Sequence, residues 1–230
     1  MKNLVVFTGA GMSAESGLKT FRDMGGLWEE YEVSDVASPD GWDRDMDLVL
    51  RFYNERRRQL LNTGPNKGHV VLAELEEYFN VQVITQNIDD LHERAGSINV
   101  LHLHGELLKA QSTVFPELVY KIEGSELNKG DLCEKGYQLR PFVVWFGEQV
   151  PNLEKAIEIC RTADIFLVIG TSLNVYPAAS LIDFIPAGCT VFLIDPNMIM
   201  TPVSREYVFI QERAGTGLEA LKEKLIRDFK

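Results

Sequence analysis

The chain has 230 residues, 45% of them hydrophobic, and a formal net charge of −11. That is enough apolar material for a real core, as one large domain or one domain carrying a small insertion, and it argues against disorder. The acidic balance leaves no basic stripe to displace counterions from nucleic acid, so no DNA or RNA partner is expected.

Short apolar runs alternate with helical patterns along the chain, the signature of a parallel sheet covered by helices on both faces. The predicted strands are "NLVVFTG", "VQVITQN", "VLHLHG", "FVVWFG", "DIFLVIGTS" and "TVFLIDP". Helices are predicted for "FYNERRRQLL", for "HVVLAELEEY" after the turn-like "NTGPNKG", for "LEKAIEICRTA", for "PAASLIDFI" and for the terminal "GLEALKEKLIRDF". Residues 29–67, helical and loop-like, and 107–139, irregular with a hairpin at "STVFPELVYKI", break the alternation. They are expected to form a smaller lobe beside a large lobe of residues 1–28, 68–106 and 140–230, giving a Rossmann-like α/β fold with a small lobe built from two insertions. The chain begins directly on "KNLVVF" and holds no apolar run of ~18 residues, so neither a leader nor a membrane span is expected. Cys133, Cys160 and Cys189 form no CxxC pair, which fits a reducing cytoplasm and no cysteine-based metal site.

Three stretches carry chemistry. "TGAGMSAESGLKTFRD" follows the first strand, where Gly9 and Gly11 let backbone come close to a pyrophosphate, and the third glycine of the usual dinucleotide fingerprint is absent. Ser13, Glu15 and a loop with Phe21 and Arg22 take its place; a lone GxG is also found in ordinary strand-to-helix turns. "TQNIDDLHERAG" gathers Gln86, Asn87 and Asp89 at a strand end, where open α/β sheets bind ligands, although Asn87 and Asp89 could equally cap the following helix. In "LHLHGE" the histidines alternate along a strand and so face opposite sides. His104, beside Gly105 at the strand end, is the one placed to act as general base.

"GAGMSAESGLKTFRD", "TQNIDDLH", "HLHGE", "VVWFGE" and "GTSLNVYPAA", in this order over nearly the whole chain, resemble the sirtuin family of NAD-dependent protein lysine deacylases, most closely its short bacterial class III members. "FYNERRRQL" carries the Tyr-x-x-Arg pair of that class. Tyr53 and Arg56 stand three apart on one helical face, able to grip the carboxylate of a malonyl, succinyl or glutaryl chain. Arg57 and Arg58 are expected to face solvent or acidic neighbours.

The resemblance implies NAD across Gly9, Ala10, Gly11, Ser13, Glu15, Phe21 and Arg22, with Gln86, Asn87 and Asp89 around the nicotinamide ribose. Gly170, Thr171, Ser172, Asp195 and Ala214 would take the phosphate and adenosine side. An acyl-lysine peptide would lie as an extended strand between Val144, Phe146, Gly147 and Glu148 on one side and Asn174 and Val175 on the other. Asn87, Asp89 and His104 would be catalytic, with nicotinamide, O-acyl-ADP-ribose and free lysine as products. ADP-ribosyl transfer to protein and non-catalytic NAD sensing are the rival readings. The family's four zinc cysteines are missing. Ser112 stands near the first of their positions and Cys133 is the one thiol of the segment 107–139, so no metal is expected. Val114, Phe115, Leu118, Val119, Tyr120 and Ile122 are expected to pack that lobe instead.

Overall fold

The run Leu4-Val5-Val6-Phe7 has no polar side chain on either face, as a strand covered on both sides requires. In the structure, a computed structural model that describes residues 1–18, 31–171, 173, 175–198 and 205–230, all four are fully buried. Among the described residues the chain opens with β1 (Asn3–Thr8), α1 (Ala10–Ala14), α2 (Val33–Val36), α3 (Pro39–Arg44), α4 (Met46–Leu61) and α5 (Lys67–Leu75). It continues through β2 (Asn80–Thr85), α6 (Leu91–Ala95), β3 (Val100–His102), β4 (Gly105–Ser112), β5 (Val119–Lys121) and β6 (Leu139–Val143). The last part holds α7 (Leu153–Cys160), β7 (Ile165–Ile169), a 3-10 helix (Ala178–Phe184), β8 (Thr190–Ile194), β9 (Val208–Ile210) and α8 (Ala214–Phe229).

Six strands form one parallel sheet in the order β3-β2-β1-β7-β8-β9. One face packs on α5 and α8 through Leu72, Leu75, Leu218 and Leu225; the other packs on α7 and the 3-10 helix through Ala156, Cys160, Leu181 and Ile182. The chain leaves β1 in opposite directions for β2 and β7, so a crevice opens at the carboxyl ends of β1 and β7, where such sheets bind ligands. This is the predicted Rossmann-like architecture with a small lobe.

The small lobe is a three-stranded antiparallel sheet, β5-β4-β6, packed on α2, α3 and α4 around Trp42, Phe52, Leu107 and Trp145. Two predicted strands are corrected here. Only the first two residues of "FVVWFG", Phe142 and Val143, are strand, as the end of β6 in this sheet and not in the parallel one, and residues 144–147 are loop and turn; "VLHLHG" is two strands, β3 ending at His102 and β4 starting at Gly105. Gly105 carries φ +82°, and a Cβ there would run into Phe142, so glycine lets the chain turn out of one sheet into the other. The hairpin forms between β4 and β5, but Val114 and Val119 are exposed and only Ile122 of that apolar set is buried.

Arg57 overturns its expectation. It is fully buried: Nε donates to Leu107 O at 2.9 Å, and Nη1 to Asn54 Oδ1 and Ser125 O, both at 2.7 Å. Asn54 in turn binds Leu127 through both its backbone N–H and its carbonyl. The helical period set Arg57 apart from Tyr53, yet α4 is wedged between the two lobes and buries more than one face. Arg58 behaves as expected, pairing with Glu126 at 3.1 Å. Ser112 and Cys133 meet each other, Cys133 Sγ lying 3.5 Å from Ser112 Oγ. Among the described residues no group of three His, Cys, Asp or Glu side chains could hold a metal ion.

Candidate functional site

At the switch point the loops after β1 and β7 touch backbone to backbone. Gly9 N–H donates to Ile169 O and Gly11 N–H to Gly170 O. A Cβ on Gly9 would lie 2.8 Å from Gly170 O and one on Gly11 2.7 Å from Gly170 Cα, while Gly170 itself holds φ +61°. The glycines therefore serve first to press the two loops together; the sequence suggested only the approach to a ligand.

Asn87 and Asp89 follow β2 and turn into this junction, both buried. Asn87 Nδ2 donates to Gly9 O at 3.0 Å and to Ser13 Oγ at 3.1 Å; Ser13 Oγ donates to Asp89 Oδ2 at 2.9 Å. Asp89 Oδ1 also accepts Leu91 N–H at 3.2 Å, so this carboxylate caps α6 as well as facing the crevice. Burial pushes its pKa up, against the pull of Ser13. Gln86 Nε2 reaches Thr171 Oγ1 at 3.1 Å, tying β2 to β7.

The two histidines are separated by the break between β3 and β4. His102 places Nδ1 2.9 Å from Asn87 O and Nε2 2.8 Å from Glu93 Oε1. Burial lowers its pKa, but the Glu93 contact outweighs this and the net shift is upward. His102 is thus a fixed donor behind Asn87. His104, half-buried, has Nδ1 3.0 Å from Gln86 O. A carbonyl only accepts, so Nδ1 carries the proton and Nε2 keeps its lone pair. Burial lowers its pKa despite that bond, which keeps the ring neutral.

On α4, Tyr53 and Arg56 lie on one face. Burial pushes the Tyr53 phenol up to about 12, and Arg56 pulls the other way. Burial lowers the Arg56 pKa, while the charges of Tyr53 and Asp89 raise it; Arg56 is therefore within electrostatic reach of both the phenol and the buried carboxylate. Trp145 Nε1 donates to Tyr53 Oη at 3.0 Å. The Arg140 guanidinium stacks 3.4 Å from the Trp145 ring and grips Glu148 through both nitrogens, at 2.6 and 3.0 Å.

Of the residues predicted to flank a peptide, Val144 N–H donates to His104 O, Phe146 and Val175 are exposed, and Gly147 takes φ +92°. The Glu148 carboxylate is engaged by Arg140 and the Trp145 N–H, a bracing role within the loop. Glu15 accepts Gly215 N–H at 2.6 Å beside the buried Ala214, capping the start of α8. Asp195 directly follows β8 and accepts Asn197 N–H at 2.8 Å. Ala10 is half-buried beside Gly9. Phe21, Arg22, Ser172 and Asn174 lie outside the described residues. Trp145 and Arg140 were missed by sequence reasoning; the usable signal was a tryptophan in an apolar run, whose N–H needs a buried partner.

This donor set fits a dinucleotide. A buried carboxamide and carboxylate, a neutral imidazole and a glycine-lined junction converge at the sheet's switch point.

Behind the crevice, His69 and His92 are fully buried with ring centroids 4.8 Å apart. Burial lowers both, His69 to about 4 and His92 well below 6.5, with Glu93 partly supporting His69, and His69 and then His102 opposing charge on His92. Below about pH 6.5 both imidazoles take up a proton in the unfolded chain, while in the native state His69 refuses it until about pH 4 and burial holds His92 neutral well below 6.5. Stability should therefore fall over that window by roughly 1.4 kcal/mol per pH unit per histidine. Urea unfolding at pH 7 and pH 5 checks this; equal midpoints would contradict it.

The Sir2 family model matches residues 9–177. The chain is 56% identical to an NAD-dependent protein deacylase of Bacteroides thetaiotaomicron, covering 98% of this chain and 99% of that one, and 52% identical to one of Helicobacter pylori, covering 98% of each. A solved Sir2 homologue in complex with NAD superposes with a TM-score of 0.89 at 39% identity, covering 100% of this chain and 91% of that one. A Sir2 variant holding a deacetylated p53 peptide and 3'-O-acetyl ADP-ribose superposes with a TM-score of 0.82 at 30% identity, covering 96% and 92%.

Proposed function

The chain belongs to the Sir2 family, and from its kinship with NAD-dependent protein deacylases over almost its full length we propose that it removes acyl groups from protein lysines, preferring those that end in a carboxylate. Its cofactor is NAD, as the family and the NAD-bound neighbour require. When bound, NAD supplies an activated ribose carbon as acceptor for the acyl oxygen and nicotinamide as leaving group. Asn87 and Asp89, cross-linked through Ser13, orient the reacting end and keep it out of bulk water. His104 Nε2 accepts a hydroxyl proton there, because Nδ1 is occupied by the Gln86 carbonyl. The acyl-lysine peptide runs past the exposed Phe146 and Val175, using main-chain hydrogen bonds that impose little sequence preference. No described helix is long and apolar enough to cross a membrane, and three unpaired cysteines suit a reducing cytoplasm.

The observation that carries the acyl preference is Tyr53 and Arg56 three residues apart on α4, with Tyr53 buried and the Asp89 charge acting on Arg56. A carboxylate entering this apolar space loses hydration, and a guanidinium with a phenol hydrogen offsets that loss. An acetyl group makes no such demand. Arg56→Met should therefore lower the ratio of kcat/KM for succinyl-lysine to that for acetyl-lysine by ~10–100-fold, since a hydrogen bond to a charged group contributes ~1.5–3 kcal/mol. Equal depression of both acyl types would make Arg56 structural and remove the preference.

A further inference from the structure

We propose that Trp145 is a specificity-determining positioning residue: its indole N–H holds the Tyr53 oxygen so that the phenol hydrogen is delivered to the carboxylate of an acidic acyl chain. The proposal rests on the acyl preference argued above and names what sets the donor's direction.

An indole nitrogen only donates, so in the 3.0 Å contact the Tyr53 oxygen must accept. That fixes one lone pair and sends the phenol hydrogen elsewhere. Both side chains are buried, Tyr53 at 2% and Trp145 at 3% exposure, and a buried hydroxyl hydrogen needs an acceptor. Among the described residues none takes it. The acceptor that the described residues do not supply is what a malonyl, succinyl or glutaryl chain brings, and what an acetyl group lacks. The neutral phenol keeps this hydrogen across the physiological range, because burial pushes its pKa up to about 12.

Trp145 can perform this role because it cannot turn. Its ring packs against the Arg140 guanidinium, 3.4 Å away, and the Trp42 ring, at 5.6 Å between centroids. Its backbone N–H donates to Glu148 Oε2 at 2.7 Å, and Glu148 grips Arg140 with both carboxylate oxygens. Arg140 also donates to Val143 O at 2.9 Å, closing the brace on β6. A tryptophan in this brace preorganises the hydroxyl; a phenylalanine would leave it free to rotate.

The test is a double-mutant cycle on the succinyl-to-acetyl ratio of kcat/KM, in which losses common to both acyl chains cancel. Trp145→Phe should lower that ratio by about 3–10-fold, the effect of one neutral hydrogen bond. In a Tyr53→Phe background the same change should leave the ratio where it is. An unchanged ratio in the single variant, or an equal fall in both backgrounds, would overturn the proposal. Arg56→Met run alongside separates the two ideas. If Arg56→Met collapses the ratio and Trp145→Phe does not, the role of Trp145 fails alone; if neither moves it, the acyl preference fails as well. Should Trp145→Phe not fold, the 15N indole resonance of Trp145 in the unsubstituted protein gives the same answer. Succinyl-lysine peptide without NAD should shift it more than acetyl-lysine peptide does, and Tyr53→Phe should erase that difference. Equal shifts from the two peptides would overturn the assignment.

Discussion

His104→Ala is expected to bind NAD normally and to lose deacylation by ~10²–10⁴-fold, the range for removal of a general base. The loss follows from the tautomer. With Nδ1 donating to the Gln86 carbonyl at 3.0 Å, Nε2 is the one atom of the ring left to take a proton. Burial depresses the ring's pKa, so the base is unprotonated at neutral pH and stays so somewhat below pH 6.5. The acid limb of the kcat/KM profile should accordingly lie below that of an ordinary imidazole. Neither other histidine near the crevice can substitute: His102 is held at both nitrogens by Asn87 O and Glu93, and His92 is fully buried against Thr8. Titration of NAD into the variant, with turnover measured on the same sample, separates binding from chemistry. Near-normal turnover would mean that the proton leaves by another route.

Arg57→Met should destabilise the whole protein. The substitution keeps the bulk of the side chain but strands Leu107 O and Ser125 O, each losing its buried donor. At ~1–3 kcal/mol for each stranded carbonyl the cost is about 2–6 kcal/mol, or roughly 5–20 °C in Tm for a chain of this size. Asn54 would lose a partner too, loosening its hold on Leu127. The physical picture is a small lobe held by a buried guanidinium and carboxamide from α4 and by the core around Trp42, Leu107 and Trp145. EDTA should therefore leave the Tm of the unsubstituted protein unchanged, and elemental analysis should find far less than one zinc per chain. A Tm drop in EDTA, or an unchanged Tm in Arg57→Met, would contradict this picture.

The parallel sheet was legible because its strands are apolar on both faces, and the helix-starting turns are marked by Gly9, Asn66 and the "TQNIDD" stretch. β6 was assigned to the wrong sheet for a simple reason. An apolar run such as "FVVW" gives a length and a burial but not a partner strand, and only the +82° turn at Gly105 decides that the chain leaves the parallel sheet there. β9, three residues long between loops, offers too few positions for any periodicity to register. Arg57 was misread because a helix wheel assumes one buried face, whereas α4 buries Tyr53 toward the crevice and Asn54 and Arg57 toward the small lobe. Asn54, a polar residue three positions before Arg57, was the available signal for a second buried face. The site's polar residues were named from the chain, but the link from Arg140 through Trp145 to Tyr53 was not, because β6 and the loop after it meet α4 only in the fold.

In the function proposed for it, this chain joins NAD consumption to removal of an acidic acyl group, through Tyr53 and Arg56 on α4 and His104 at the crevice. Incubation with NAD and matched acetyl-, malonyl-, succinyl- and glutaryl-lysine peptides, following peptide mass and nicotinamide together, tests it directly. One nicotinamide should be released for each acyl group lost, with kcat/KM for one or more of the carboxylate-ended peptides above that for the acetyl peptide. Nicotinamide release without loss of peptide mass, or acetyl removal outpacing every acidic acyl chain, would contradict it.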